Sequence, residues 1–285
     1  MGLKLMYITN DVQIAGIAEN CGVDWIFIDL EINGKEERQG HLDTVISRHH
    51  IDDVKRIKSE LTTAELLVRV NPIFAGSRAE IDRVIDDGAD IVMLPFFTTE
   101  DEVATFVDLV AGRVKTILLL ETPEAVGNID DILTVEGIDY IHIGLNDLHL
   151  GYDMNFMFEL LSDGTVEELG NKIRSNKIPF GFGGVAQLSL GDLPAEHIIA
   201  EHYRLESSMV ILSRSFCHLN KIKNIEEAET LFKNGVADIR EFEQFLEKAN
   251  EAYFEENRLI ARDRINAIRD RKVVSDEKVA VNGSV

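Results

Sequence analysis

The sequence predicts an α/β fold, a (β/α)8 or TIM barrel followed by a C-terminal helical extension. Three observations predict it. Short apolar runs rich in strand-forming residues recur eight times before Phe216, and segments with helical periodicity separate most of them. Several of the runs, such as Ile91–Leu94 and residues 116–120, are almost wholly apolar. That composition is typical of strands in a parallel sheet that is covered on both faces.

Eight strand units are the number that a closed barrel requires. The predicted strands cover residues 3–9, 25–31, 65–71, 91–96, 115–121, 140–146, 178–185 and 208–213. The predicted helices between them cover residues 13–21, 44–61, 78–87, 100–111, 124–133 and 165–174. A doubly wound sheet is the competing arrangement, but it normally has fewer strands, and no G-x-G-x-x-G motif follows the first strand. We therefore favour the barrel.

Beyond Phe216 the pattern changes to charged helix. Within residues 236–271 an apolar stripe consists of Phe242, Phe245, Leu246, Ala249 and Tyr253, followed by Ile260, Ile265 and Ile268. The stripe packs either on the barrel's own helices or on another subunit. We predict a barrel over residues 1–235 and a helical extension with a loose tail over residues 236–285, in the same domain or in a subunit contact. We also expect a homo-oligomer.

Composition limits the classes of partner. The chain has 285 residues, of which 45% are apolar and 28% charged, and its net charge is −22. This is the composition of a soluble globular protein. Because nucleic acid and anionic membrane surfaces repel such a charge, we expect neither as a partner. The first residues show no signal-peptide pattern, and Cys21 and Cys217 show no metal or redox spacing. A cytoplasmic location is predicted.

The active site of a (β/α)8 barrel lies at the carboxyl ends of its strands, so polar residues there are the functional candidates. The candidates at these ends are Asp29, Glu31, Arg69, Asn71, Glu121, Asn146, Asp147, Gly183, Gly184, Ser213 and Arg214. Polar groups that end apolar strands are costly to bury without partners. We expect these side chains to be paired with one another or with a ligand.

Among these candidates, Glu121 and Asp147 are the pair that most clearly indicates a metal site. They end consecutive predicted strands, which are neighbours about 4.8 Å apart in a barrel. Two carboxylates that converge there repel each other and favour a hard cation such as Mg2+ or Mn2+ between them. In the alternative, Asp147 caps the following helix and Glu121 pairs with an arginine.

Arg69 closes its strand and offers a fork of donors to a carboxylate or an enolate oxygen. The alternative is a structural ion pair with Asp29 or Glu31, and both roles are compatible. A Schiff-base aldolase is disfavoured because no strand end carries a lysine. A turn at residues 181–184 has two interpretations, phosphate binding or tight packing, of which we favour packing.

Several motifs give the chain a wider resemblance. They are WIFIDLE at residues 25–31, Arg69, GADIVMLP at residues 88–95, ETPEAV at residues 121–126 and GIDYIHIGLNDL at residues 137–148. Residues 1–216 resemble the HpcH/HpaI aldolase and citrate lyase β-subunit family. The resemblance implies a pyruvate-binding barrel in which Glu121 and Asp147 hold Mg2+ or Mn2+. It also implies that C-terminal helices are exchanged between neighbouring subunits.

The resemblance further implies roles for the substrate-binding residues. The backbone amides of Asn146 and Asp147 would hold the carboxylate of pyruvate or oxaloacetate, and Arg69 would stabilise the keto or enolate oxygen. The implied activity is a divalent-metal-dependent carbon–carbon lyase of the aldolase type that acts on a 2-keto acid. We take Arg69 and Asp29 as the predicted catalytic residues.

Two positions depart from the family's aldolase branch. Ile32 stands where that branch has a histidine base, and Leu119 stands where it has glutamine. Proton transfer would then fall to His41, His49, Lys35 or a water molecule. Two alternatives to the lyase stay open. One is an acyl-CoA ester lyase or phosphoenolpyruvate-type enzyme of the same fold, and the other is a non-catalytic barrel that binds metal and keto acid.

Overall fold

The structure of the chain, a computed structural model, describes residues 2–32, 49–213, 216–217 and 224–282. Eight parallel strands close a barrel in which each strand pairs with the next and β8 pairs with β1. The strands are β1 Lys4–Ile8, β2 Trp25–Asp29, β3 Glu65–Arg69, β4 Ile91–Leu94, β5 Lys115–Leu120, β6 Tyr140–Ile143, β7 Phe180–Val185 and β8 Met209–Leu212. Each lies within a predicted run, and the TIM barrel is confirmed.

The helices are numbered in chain order over the described residues. They are α1 Val12–Asn20, α2 Asp52–Lys58, α3 Ser77–Asp86, α4 Glu100–Val110, α5 Pro123–Gly127, α6 Ile129–Ile132, α7 Leu145–Gly151, α8 Glu159–Ser162, α9 Thr165–Ser175, α10 Ala195–Arg204, α11 Ile225–Leu246 and α12 Glu251–Asn282. Among the described residues, no helix combines the length and the apolar composition needed to cross a bilayer.

The prediction was wrong for the end of β6, for the helix after β5 and for the turn at residues 181–184. Strand β6 ends at Ile143, and α7 begins two residues later, because Gly144 turns the chain before the apolar run is complete. The predicted helix 124–133 is two short helices separated at Asn128. Residues 181–184 form part of β7 rather than a turn, and Gly181 is required there because a Cβ atom would overlap Met209 of β8.

The strands are apolar on both faces because both faces are buried. Trp25 and Phe27 of β2 point into the barrel, where they pack with Leu67, Met93 and Leu119. The intervening side chains point outward and belong to the larger core beneath the helices. Side chains alternate between the inside and the outside along each strand. At the end of a strand, every second residue therefore points into the mouth of the barrel.

A buried histidine lies within the barrel. His142 of β6 lies between two outward-facing isoleucines and is fully buried, with its Nε2 3.0 Å from the carbonyl oxygen of Gly183. Burial lowers the pKa of His142 to about 4. His202 of α10 is also buried and stacks on Phe182, with ring centroids 3.7 Å apart, and burial lowers its pKa as well.

We expect these histidines to make the fold sensitive to mild acid. The pKa of His142 in the folded protein lies below its value of 6.5 in the unfolded chain. The stability that depends on a neutral His142 is therefore complete above pH 6.5 and is lost as the pH falls toward about 4. The free energy of unfolding should fall by about 2 kcal/mol more between pH 7 and pH 5 in the wild type than in His142→Gln. Urea unfolding at both pH values measures this difference, and parallel pH profiles would contradict it.

The last two helices pack on the barrel of their own chain. Helix α11 lies against α1, and α12 lies against α8 and α10. Asn257 of α12 is buried and joins His197 and Glu201 of α10 by hydrogen bonds of 2.7 and 3.1 Å. Leu246 of the predicted stripe is buried, whereas Phe245 is half exposed. The predicted division at residues 235/236 falls inside α11 and stays a prediction.

We expect the chain to form a homo-oligomer, as the partly exposed aromatic cluster at the α11–α12 corner suggests. The Phe245 ring lies 5.9 Å from that of Phe242 and 5.1 Å from that of Tyr253. Leaving such a cluster in water forgoes roughly 1.5–3 kcal/mol per large side chain. Light scattering should give a mass well above 32.0 kDa, and Phe245→Glu should lower it while Ile225→Glu, also on α11, should not. A wild-type monomer would contradict the prediction.

Candidate active site

Arg69 and Asp29 form a forked ion pair at the ends of two neighbouring strands. The register of β2 and β3 places the two residues side by side. The Arg69 Nε and Nη2 atoms each donate to one Asp29 carboxylate oxygen over 2.8 Å, and Nη1 lies 3.3 Å from the Glu31 carboxylate. The ion pair that the sequence left as an alternative is therefore present.

Arg69 keeps its positive charge at this position. Burial alone would lower the pKa of the guanidinium, but the carboxylates of Asp29 and Glu31 outweigh it and raise the pKa above its ordinary value. The guanidinium carbon also lies 5.7 Å from the ring centroid of Phe27, inside the barrel. A fixed, permanently charged fork of donors thus lies at the barrel mouth.

Two further side chains hold the end of β2. Asn71 accepts a hydrogen bond from the backbone N–H of Ile32 over 3.0 Å and donates to Glu80 over 2.6 Å. The backbone N–H of Asp29 donates to Nδ1 of His49 over 3.0 Å. The sequence assigned His49 to a surface helix, but it precedes α2 and contacts the end of β2. Lys35, His41 and Arg214 lie outside the described residues.

Glu121 follows directly after β5 and is buried. The backbone N–H of Phe96 donates to its Oε1 over 3.1 Å. Burial raises the pKa of the Glu121 carboxyl well above its usual range, and the nearby charge of Asp147 raises it further, while Arg69 opposes the shift. Ionised Glu121 is therefore held at a cost in free energy that a bound cation would remove.

Phe96 makes this contact from a strained backbone. Its φ angle is 49°, in the left-handed region that a bulky side chain rarely adopts. Such a conformation costs on the order of 1–3 kcal/mol and persists where the surroundings enforce it. Phe96 could not be predicted from the sequence, because the contact uses the backbone amide and not the side chain.

Asp147 lies in the first turn of α7 rather than at the end of a strand. The residue at the N-cap of that helix is Gly144, so Asp147 does not hold the capping position considered for it. A Cβ atom on Gly144 would lie 2.8 Å from Cβ and 2.9 Å from Oε2 of Glu121. The glycine of the motif is therefore required because the Glu121 side chain rests on its backbone.

Gly144→Ala should displace the Glu121 carboxylate without unfolding the barrel. Its φ of −82° suits alanine, so the added methyl group acts mainly through the overlap with Glu121, with a lesser contact of 3.2 Å to Cδ1 of Leu119. We expect divalent-cation affinity to fall about tenfold or more, as it does when a residue that orients a metal ligand is changed. Mn2+ titration measures the loss, with Gly127→Ala as the control because a Cβ atom there meets nothing within 4 Å. Equal affinities in both variants would contradict the role assigned to Gly144.

The donor set fits a hard divalent cation. Glu121 and Asp147 supply two carboxylates that line the same cleft. No group of three or more His, Cys, Asp or Glu side chains suited to a metal occurs within the described residues. Mg2+ and Mn2+ accept few protein carboxylates, since water and substrate oxygens complete their coordination. A site with two carboxylates therefore leaves coordination positions open for a substrate.

The cleft beside the carboxylates has a volume of about 350 Å³. Its lining residues are Phe96, Glu121, Thr122, Pro123, Glu124, Asp147, Leu150 and Gly151. The sequence predicted only Glu121 and Asp147 of these. The remaining wall comes from the segment that enters α5 and from the C-terminal end of α7, a helix that the sequence did not predict.

The geometry agrees with a comparison against protein families. A family model described as HpcH/HpaI aldolase/citrate lyase matches residues 5–156, more than half of the chain. The matched region contains Asp29, Arg69, Glu121 and Asp147. The chain belongs to the HpcH/HpaI aldolase/citrate lyase family. The resemblance carried by the sequence motifs is thereby confirmed, and the family's description supports an aldolase or lyase activity at that level.

The chain is also similar to an individual enzyme, at low sequence identity. A 2-keto-3-deoxy-L-rhamnonate aldolase of Escherichia coli O17:K52:H18 (strain UMN026 / ExPEC) is 27% identical over 189 residues, which are 54% of this chain and 64% of that protein. The chain therefore matches less than two thirds of that relative's length.

Two solved structures share the fold. An HpcH/HpaI aldolase/citrate lyase family protein from Burkholderia cenocepacia J2315 has a TM-score of 0.57 and 17% identity, covering 74% of this chain and 88% of that one. An HpcH/HpaI aldolase from Desulfitobacterium hafniense DCB-2 has a TM-score of 0.54 and 18% identity, covering 84% and 93%. At these identities the likeness supports the barrel alone.

Proposed function

We propose that the protein is a divalent-metal-dependent carbon–carbon lyase of the aldolase type, acting through the enolate of pyruvate or oxaloacetate. The observation that carries the proposal is the buried Glu121 carboxylate beside the partly buried Asp147 and beside Arg69. Two like charges at the mouth of a barrel destabilise the ligand-free protein. Such an arrangement is explained by a cation and a substrate that stabilise the pair when bound.

Each residue has a role in this proposal. Mg2+ or Mn2+ held by Glu121 and Asp147 would act as a Lewis acid toward the 2-keto oxygen. The Arg69 guanidinium stabilises negative charge on that oxygen as the enolate forms. Asp29 is a positioning residue, because its carboxylate fixes the orientation of the Arg69 fork. The backbone amides of Asn146 and Asp147, at the start of α7, bind the substrate carboxylate.

Proton transfer needs a group other than Ile32. The Ile32 side chain is 61% exposed and has no titratable atom. Of the side chains considered from the sequence, His49 lies within the described residues and contacts the end of β2 that bears Asp29. We propose His49 for this step.

Deuterium exchange into the methyl group of pyruvate tests the proposal directly. In D2O with Mg2+ the wild type should exchange the methyl protons, observed by NMR, and it should decarboxylate oxaloacetate. Both reactions ask only for enolate formation and need no knowledge of the natural acceptor. Binding of pyruvate and Mg2+ without exchange or decarboxylation would overturn the proposal and favour the non-catalytic barrel.

A further inference from the structure

The cleft next to Glu121 and Asp147 has walls of two kinds. One kind is polar and consists of the carboxylates of Glu121, Glu124 and Asp147. Phe96, Pro123 and Leu150 add apolar side chains to the lining, and the exposed surface of the cleft is mainly apolar. A mostly apolar pocket with a few polar groups is typical of a site for a small ligand.

The apolar part of the cleft is closely packed. A Cβ atom on Gly151 would lie 2.6 Å from Cδ of Pro123, so the end of α7 rests against the start of α5. The hydroxyl group of Thr122 is already engaged, since it donates to the carbonyl oxygen of Phe97 over 2.8 Å and accepts from the N–H of Ala125. The wall therefore offers few hydrogen-bonding groups to a bound ligand.

The charged side chains that line the cleft are all acidic among the described residues. Glu124 adds a third carboxylate to those of Glu121 and Asp147, and no Lys, Arg or His occurs among the described residues that line the cleft. Arg69 pairs with Asp29 and Glu31 and does not line this cleft. With a metal ion on Glu121 and Asp147, Glu124 is the remaining charged side chain among the described residues that line the cleft, and a substrate carboxylate or phosphate beside it would face a like charge. Juxtaposed like charges disfavour a ligand, and because Glu124 is exposed to solvent we expect an effect on the order of tenfold in kcat/KM.

We propose that this cleft binds the acceptor part of the substrate, and that the acceptor is a short aldehyde with an uncharged, largely apolar chain. The inference rests on the proposed lyase function and names its substrate class. In the synthetic direction the pyruvate methyl carbon loses a proton and bonds to the aldehyde carbon, whose oxygen gains a proton. The product is a 4-hydroxy-2-keto acid with an uncharged tail.

Two aldehydes of equal carbon number test the inference. Butanal and succinic semialdehyde differ in one terminal carboxylate. With pyruvate and Mg2+, the wild type should use butanal with a kcat/KM about tenfold or more above that of succinic semialdehyde. Glu124→Lys should shrink this ratio about tenfold, and Glu124→Gln should shrink it less. Glu136→Lys, a charge reversal at an exposed residue in the loop before β6, should leave the ratio unchanged.

Pyruvate methyl exchange is measured in the same samples, so that the two levels of the argument separate. If exchange proceeds but succinic semialdehyde equals or exceeds butanal, the acceptor assignment is overturned while the proposed function stands. Exchange without bond formation to either aldehyde overturns it too, as does an unchanged ratio in Glu124→Lys. Absence of exchange in the wild type overturns the proposed function and the inference with it. Preference for butanal together with the Glu124→Lys effect supports the assignment.

Discussion

Replacing Glu121 by glutamine should abolish divalent-cation binding and reduce enolate-forming activity by about three orders of magnitude or more. Lewis-acid stabilisation of a developing oxyanion contributes several kcal/mol, and each 1.4 kcal/mol corresponds to about tenfold in rate. Glutamine preserves the shape of the side chain and can still accept the hydrogen bond from the Phe96 amide. The substitution therefore removes the charge and leaves the surroundings in place.

The metal-free stability of this variant separates a functional carboxylate from a structural one. Because burial and Asp147 raise the pKa of Glu121, its ionised form destabilises the ligand-free fold at neutral pH. Glu121→Gln should then unfold at the same temperature as the wild type or higher without metal, and it should lose the rise in Tm that Mn2+ gives the wild type. Glu136→Gln serves as the control at an exposed position. An unchanged Mn2+ affinity in Glu121→Gln would falsify the metal assignment.

The fold could be predicted from the sequence because every strand is buried on both faces. Runs such as Ile91–Leu94 carry no polar residue, and that pattern admits few alternatives to a parallel sheet. The bounds of β6 were wrong for the same reason. The apolar pattern continues from Ile143 to Leu145, while Gly144 between them turns the chain into α7. Periodicity cannot locate a turn that depends on one glycine packing against another element.

The site could be predicted only where side chains carry the chemistry. Glu121, Asp147, Arg69 and Asp29 were named because acidic and basic residues at apolar strand ends need partners. The contribution of Phe96 comes from its backbone amide, and that of Gly144 from the absence of a side chain, so composition signals neither. His49 reaches the end of β2 from twenty residues along the chain, a contact that only the folded structure reveals.

Replacing Arg69 by lysine should lower kcat for pyruvate exchange by about 10²–10³, the cost of removing one oxyanion-stabilising donor. A lysine ammonium is a single flexible donor group and cannot reproduce a fork that binds both oxygens of Asp29 while facing the substrate. The effect should fall on kcat more than on KM, because the negative charge on the keto oxygen is largest in the transition state. The Mn2+-dependent rise in Tm should persist, since Glu121 and Asp147 are intact.

If the role of Arg69 were purely structural, different effects on stability and kcat would be expected. Asp29 is 2% exposed, so a weakened pair leaves a buried carboxylate poorly compensated and lowers the free energy of unfolding whatever the role of Arg69 in catalysis. Asp29→Asn provides the matched comparison, because it weakens the same pair from the other side but keeps the guanidinium at the barrel mouth. At a temperature where both variants are fully folded, Arg69→Lys should lose clearly more kcat than Asp29→Asn, because Asp29→Asn only loosens the orientation of a guanidinium that still acts on the substrate. Equal losses of kcat in the two variants would assign the defect to the ion pair, and Arg69 would then be a positioning residue.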